Sequence, residues 1–242
     1  MKLPFRRSVS LICCFFPLLL ACSKEQKEEP ARIVFPEAVD LGLSVKWASF
    51  DVGATQPGEV GYFFAWGEAT PKENEKYNWH NYNWCKYGSQ SLTKYNYDPA
   101  FGDNPDYRIG LKPEDDPAQV MYGGDWYVPT VDEIKELIES PLLRQSVERI
   151  GYKDCMKLTS LVTGKSILLP AGSVCMDTSG PHGVSAGFFW SSQIVYSPNN
   201  PKPYEATCAV IYPEVASSTF NTMSTQKMPR AYGMNIRPVL RK

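Results

Sequence analysis

Histidine is nearly missing from this chain: His80 and His182 are the only two in 242 residues. With so few imidazoles, and with no CxxC pair, the usual ligand clusters of a structural zinc site are excluded. No HExxH motif occurs, and there is no phosphate-cradling glycine loop, so the common metalloprotease and nucleotide-binding signatures are absent. There is no excess of positive charge either. Lys and Arg number 25 against 26 Asp and Glu, and no basic stripe runs along any segment. A phosphate backbone would therefore find no electrostatic footprint, which excludes nucleic acid as a partner. After residue 22 no apolar run approaches the roughly 20 residues that a membrane-spanning helix needs. No cofactor or metal is implied.

The first 22 residues stand apart. Lys2, Arg6 and Arg7 form a basic start, an apolar run extends from Val9 to Ala21, and Leu19-Leu20-Ala21-Cys22 follows. The run suits the apolar core of a secretory signal, and its last four residues resemble the lipobox of bacterial lipoproteins. That resemblance implies a signal peptide over 1–22, lipidation of the Cys22 thiol and removal of the leader. The acyl chains, each buried methylene contributing about 0.8 kcal/mol, would then be the only membrane anchor. Three of the 25 basic residues belong to the leader, which leaves 22 against 26 acidic ones, a net charge of −4 for the mature chain. Residues 23–36, beginning Ser-Lys-Glu-Gln-Lys-Glu-Glu-Pro, are too poor in apolar side chains to fold alone and read as a tether. Acidic tethers after a lipidated cysteine resemble the surface-export signals of Bacteroides-type lipoproteins, so the expected location is the outer membrane, with exposure at the cell surface. Residues 37–242 are long enough for one domain with a real core.

Seven cysteines reduce to four once Cys13, Cys14 and Cys22 are set aside. Cys85, Cys155, Cys175 and Cys208 permit three pairings among themselves, or none, since cysteine also packs as a small buried hydrophobe.

Within the domain, Val39–Val52 and Tyr62–Trp66 are rich in β-formers and predict a strand pair or bent strand and a short strand. Lys72–Tyr107 carries many Asn, Asp, Tyr and Trp residues without a period and predicts a long ordered loop. Pro113–Asp116 suits a helical turn with acidic residues at its positive end; its carboxylates lack the alternate spacing usual for calcium. Val131–Glu139 predicts a helix, with Thr130 and Glu133 as a capping box and Ile134, Leu137 and Ile138 as its apolar stripe. Ser140-Pro141 either stops that helix or caps a second short one closed by Gly151. Met156–Val162 and Ser166–Leu169 predict a hairpin around Thr163-Gly164-Lys165. Phe188–Gln193, Ala206–Tyr212 and Gly233–Leu240 predict further strands, with Val195–Tyr204 looping out between two of them. Strands at both ends and helices in the middle indicate an α+β domain with antiparallel sheets.

The clearest sign of function in the residues themselves is aromatic. Tyr77, Trp79, Tyr82, Trp84, Tyr87, Tyr95, Tyr97 and Tyr107 are interleaved with Asn, Lys and Asp. Flat rings beside amides and carboxylates suit the faces and hydroxyls of a glycan, and Tyr- and Asn-rich loops also serve protein recognition. The alternative is that these rings fold inward as a satellite cluster. Trp79, Tyr82 and Trp84 are the candidate ligand anchors. His80, lying among them without a recognisable partner, and His182, in a Pro-His-Gly turn, give no catalytic constellation.

Val39–Ala54, Tyr62–Glu68, Gly123–Thr130, Gly164–Ala171, Trp190–Ser192 and Asn235–Val239 resemble, in order, blocks of the Fibrobacter succinogenes major paralogous domain family. The resemblance covers nearly the whole domain except Pro141–Gly151. It implies a C-type lectin-like fold in which the terminal strands pair and long loops form a ligand face, and it implies no reaction. The Glu-Pro-Asn and Trp-Asn-Asp motifs of calcium-dependent sugar sites are absent, the nearest text being Pro198–Pro201 and Trp190–Ser192. A surface-anchored, non-catalytic binding module for a glycan or protein is the leading expectation. A structural component of the cell envelope is second. An enzyme related to formylglycine-generating enzymes, which work through paired cysteines, is third.

Overall fold

The computed structural model describes residues 33–72, 76–176, 181–182, 185–213 and 222–242. The leader, Cys22 and the tether up to residue 32 lie outside the described residues, and Ile33–Lys242 forms one compact unit. It is a mixed, sheet-rich domain. Its strands are β1 (Ala38–Val39), β2 (Lys46–Ala48), β3 (Trp126–Tyr127), β4 (Leu143–Ile150), β5 (Lys153–Ser160), β6 (Ser166–Pro170), β7 (Val174–Cys175), β8 (Pro181–His182), β9 (Gly187–Ile194), β10 (Glu205–Ile211), β11 (Met223–Pro229) and β12 (Val239–Leu240). Helices α1 (Pro117–Tyr122) and α2 (Val131–Glu139) lie on either side of β3 in the chain.

Helix α2 forms where its local chemistry places it. Thr130 Oγ1 accepts the Glu133 amide at 3.2 Å, and the Glu133 carboxylate accepts the Thr130 amide at 2.7 Å, so two orphan donors are satisfied reciprocally. Ile134 and Leu137 are buried and Ile138 packs at the edge of the same cluster. The helix ends at Ser140, whose amide still donates to Glu136 O.

The two ends of the domain meet. Strands run in the order β1-β2-β12-β3, all antiparallel, with Trp47 of β2 opposite both Val39 and Val239. A second sheet has the order β11-β10-β9 and a third β4-β5-β6, while β7 and β8 pair alone. The hairpin of β5 and β6 carries Leu158 opposite Ile167 and Met156 opposite Leu169, as predicted from its alternation.

Three expectations need correction. No second helix follows Ser140-Pro141: Leu143–Ile150 is strand β4, because its residues Gln145 and Val147 lie opposite Leu158 and Met156 and ladder pairing overrides a weak local preference. Gly151, at φ +62°, turns that hairpin instead of closing a helix. Within Gly233–Leu240 only Val239 and Leu240 join a sheet, and Tyr62–Trp66 contributes one bridge, Phe64 to Met234. In place of continuous strands, indoles fasten these segments. Trp66 Nε1 donates to Ser191 O at 2.8 Å, and Trp190 Nε1 donates to Phe64 O at 2.9 Å. Arg237 of the Asn-Ile-Arg-Pro-Val block is fully buried, bonded to Asp51 at 2.6 Å and to the carbonyls of Ala48 and Leu168.

Cys85, Cys155, Cys175 and Cys208 form no disulfide. Burial pushes the Cys155 thiol up to about 11 and Cys208 up to about 12, so both stay protonated as small core side chains and not as reactive thiolates.

Candidate functional site

The described residues of Lys72–Tyr107 are mostly loop, with bridge positions at Tyr77 and between Cys85 and Leu92 and a 3-10 turn at Pro99–Phe101. Its aromatics divide into two populations. Tyr77, Tyr82 and Tyr95 point inward and are buried. Tyr77 donates its hydroxyl to Phe63 O and lies so close to Gly233 that a Cβ there would sit 2.5 Å from the ring. Tyr95 donates its hydroxyl to the Asp115 carboxylate and accepts the Lys112 amide at 2.9 Å, and its ring meets Trp66 edge-on at 4.9 Å.

Arg230, at the end of β11, organises this inner population. It is fully buried, and among the described residues no carboxylate bonds to it. Its guanidinium donates to Tyr82 Oη at 2.9 Å and to the carbonyls of Tyr95, Pro203 and Lys94 at 3.0, 2.9 and 3.1 Å. It also stands 4.9 Å from the Trp66 ring centre, a cation–π contact that is strongest where water is excluded. Carbonyl dipoles and π faces thus replace a counter-ion, and one side chain ties the Lys72–Tyr107 loop to the Val195–Tyr204 loop.

This arrangement corrects one of the three candidate anchors. Tyr82 is 3 % exposed, donates its hydroxyl to Trp66 O at 2.7 Å and accepts from Arg230, so it faces no ligand. Trp84 and Trp79 are half-buried on the same satellite cluster. Trp84 donates its indole N–H to Gly67 O at 2.7 Å, and the Lys94 ammonium covers its ring at 4.3 Å. Trp79 packs edge-on against Tyr82 at 5.5 Å. The inward reading therefore fits Tyr77, Tyr82 and Tyr95, whereas Tyr87 is 90 % exposed.

The outer population gathers at the other end of the loop. The Asp106 carboxylate accepts the amides of Tyr95, Asn96 and Arg108, and Tyr107 takes a left-handed φ of +55°, a conformation that costs a non-glycine residue about 1 kcal/mol or more. Tyr107 is 69 % exposed. Tyr97 pins the opposite wall: its hydroxyl donates to Val195 O at 3.0 Å and accepts the amides of Ser197 and Lys202 at 3.2 and 3.0 Å. The Tyr196 ring, 59 % exposed, packs edge-on to Tyr97 at 5.0 Å. Between these walls lies a hollow of about 440 Å³ lined by Tyr97, Asp98, Tyr107, Ile109, Tyr196, Pro198 and Pro201. Both loops singled out in the sequence contribute to it. Tyr107, Tyr196 and Ile109 were not named as anchors, because nothing in the local sequence distinguishes an outward tyrosine from an inward one.

Within the acidic run Pro113–Asp116, the carboxylates of Asp115 and Asp116 are occupied internally. Asp115 takes Lys94 and Tyr95. Asp116 caps α1 by accepting the amides of Ala118 and Gln119 and also accepts Val128; burial nevertheless pushes its pKa up to about 6. Among the described residues no group of His, Cys, Asp and Glu side chains is placed to hold a metal ion. His80 is exposed, and the side chain of His182 lies outside the described atoms.

Comparison with protein-family models, with curated proteins and with solved structures finds no match for this chain.

Proposed function

We propose that this chain is a lipid-anchored binding module of C-type lectin-like fold, displayed on the outer membrane through Cys22, and that its ligand is a glycan held in the hollow between Tyr97, Tyr107 and Tyr196. The observation that carries the reading is that hollow. Its volume of about 440 Å³ falls in the range of about 300–1,000 Å³ usual for small-ligand pockets, whereas a stable protein partner buries about 1,200–2,000 Å² over a broad face. Rings that are exposed yet fixed in place offer stacking surfaces at little entropic cost, and Asp98 and the hydroxyls of Tyr107 and Tyr196 stand ready for sugar hydroxyls. The fold assignment is supported by the pairing of β2 with β12, which joins the two ends of the domain, and by the long loops above it. The anchor rests on Leu19–Cys22, and the reading involves no catalysis.

A glycan array probed with the full chain in detergent tests the proposal: binding should appear and should fall at least tenfold in Tyr107→Ala and Tyr196→Ala. An array with no signal above background overturns it. The anchor is tested separately by fatty-acid labelling, which Cys22→Ser should abolish.

An envelope assembly role is the second reading, favoured by β4. That strand has a neighbour on one side only among the described strands, and it exposes Val147 and Ile150, as an edge open to another chain does. It predicts concentration-dependent self-association that Val147→Lys suppresses.

A further inference from the structure

The hollow does not end at Tyr196. A second one of about 330 Å³ adjoins it, and Ile109 and Tyr196 line both. Helix α2 provides Val131 and Lys135 to its wall, while β10 and β11 provide Thr207 and Lys227, which stand opposite each other in the ladder. The two hollows differ in charge. The first has a single charged lining residue, Asp98, one of whose oxygens accepts the Ala100 amide at 2.8 Å. The second has two, Lys135 and Lys227, and no carboxylate.

Among the described residues neither ammonium group is neutralised by a close partner. Lys135 has Asp132 at 3.9 Å, an exposed contact between two solvent-facing side chains that water and salt screen almost completely. No ion pair of 4 Å or less involves Lys227 among the described residues. The acid nearest along the same sheet face, Glu205, already has Lys202 at 3.6 Å. A chain with a net charge of −1 therefore places two uncompensated cations beside hydroxyls and amides (Thr207, Thr225, Gln193 and Gln226). Such a lining suits an anion that is also rich in hydrogen-bonding groups.

We infer that the second hollow binds the carboxylate or sulfate groups of an acidic polysaccharide whose neighbouring sugar stacks in the first hollow. The inference rests on the glycan reading of that first hollow and adds the substrate class. Tyr196 and Ile109 form the shared ridge over which the chain passes, so one ligand meets rings on one side and ammonium groups on the other. Paired charges of this kind govern selectivity and encounter more than total affinity.

The test uses the full chain in detergent and four probes: hexagalacturonate, its fully methyl-esterified neutral twin, a chondroitin sulfate hexasaccharide and a short polyglutamate. At least one acidic saccharide should bind about tenfold or more tighter than the neutral twin at about 20 mM salt. That preference should shrink toward unity near 500 mM salt, where the screening length falls to a few ångströms. The double variant Lys135→Gln, Lys227→Gln should bind acidic and neutral saccharides alike, with an unchanged melting temperature. Equal binding of neutral and acidic saccharides by the wild type overturns the inference while leaving the glycan reading intact. A preference that survives in the double variant overturns it as well. Polyglutamate binding as tightly as the best acidic saccharide would assign the site to acidic peptides instead. If no saccharide binds, acidic or neutral, both this inference and the glycan reading fall.

Discussion

Two ends of one loop, alike in composition, do opposite things. Tyr77, Tyr82 and Tyr95 turn their rings inward, bond their hydroxyls to carbonyls, an arginine and a carboxylate, and act as core, whereas Tyr87 between them is 90 % exposed. Between Tyr97 and Tyr107 the same residue type stands at the surface, held there by backbone turns and by a hydroxyl staple. For Tyr82, Tyr95 and Tyr107 what separates inner from outer is whether a buried partner is available. Arg230 gives Tyr82 a donor and the carbonyls around Tyr95 a cation, and a tyrosine that can satisfy its hydroxyl inside gains the full burial of its ring. Tyr107 has no such partner, because Asp106 spends its carboxylate on three amides and fixes the turn. Aromatic density in a sequence thus marks a segment that matters without indicating which rings face outward.

The contrast is broken most forcefully at Arg230. Arg230→Met removes a buried cation from four acceptors and leaves the carbonyls of Lys94, Tyr95 and Pro203 without it. Urea unfolding should show a loss of about 3–5 kcal/mol. A loss below about 1 kcal/mol would mean that the inner rings hold the loop without it.

A smaller effect sharpens the contrast within a single acidic run. Glu114 is exposed, and its own backbone amide holds its carboxyl below the usual range, whereas burial raises Asp116 to about 6. For Asp116 the folded state binds its proton more tightly than the unfolded state, in which the pKa is near 3.8. Its effect is neutral below about pH 4, and stability is lost as pH climbs through about 6. Relative to Asp116→Asn, the wild type should lose about 2–3 kcal/mol between pH 4 and 7, read as the difference in unfolding free energy. A flat difference across that range would show that Asp116 titrates normally.

Tyr82→Phe keeps the buried ring but removes a hydroxyl that accepts from Arg230 and donates to Trp66 O. It should cost about 1–3 kcal/mol in unfolding free energy and leave glycan binding unchanged. Weakened binding at full stability would place Tyr82 at the ligand after all. Tyr196→Ala should do the reverse, changing stability by only about 0.5 kcal/mol while weakening the glycan about tenfold. A variant that instead unfolds readily would move Tyr196 into the structural population.

Several features needed only the sequence. Thr130 and Glu133 specify the start of α2 through contacts three residues apart, and Ile134, Leu137 and Ile138 set its inner face by period alone. The alternation in Met156–Leu169 specifies a hairpin, and the meeting of the terminal strands was expected from the family resemblance and is found at Trp47 and Val239. These are short-range preferences, or patterns whose two faces differ enough in polarity to leave one solution. Other features depended on residues far away in the chain. Leu143–Ile150, exposed on much of its surface, has no alternating pattern to mark it as a strand and becomes one only because β5 lies alongside. Met223–Pro229 buries little beyond Met223 and is likewise a strand through its pairing with β10. The burial of the Tyr82 hydroxyl depends on Arg230, 148 residues further along, and the hollow exists because Tyr97 fastens a loop about 100 residues away. Local chemistry decided where helices begin and hairpins turn. The position of each polar partner inside the fold decided which rings became core and which became surface, because a buried hydroxyl or guanidinium is tolerated only where distant parts of the chain satisfy it.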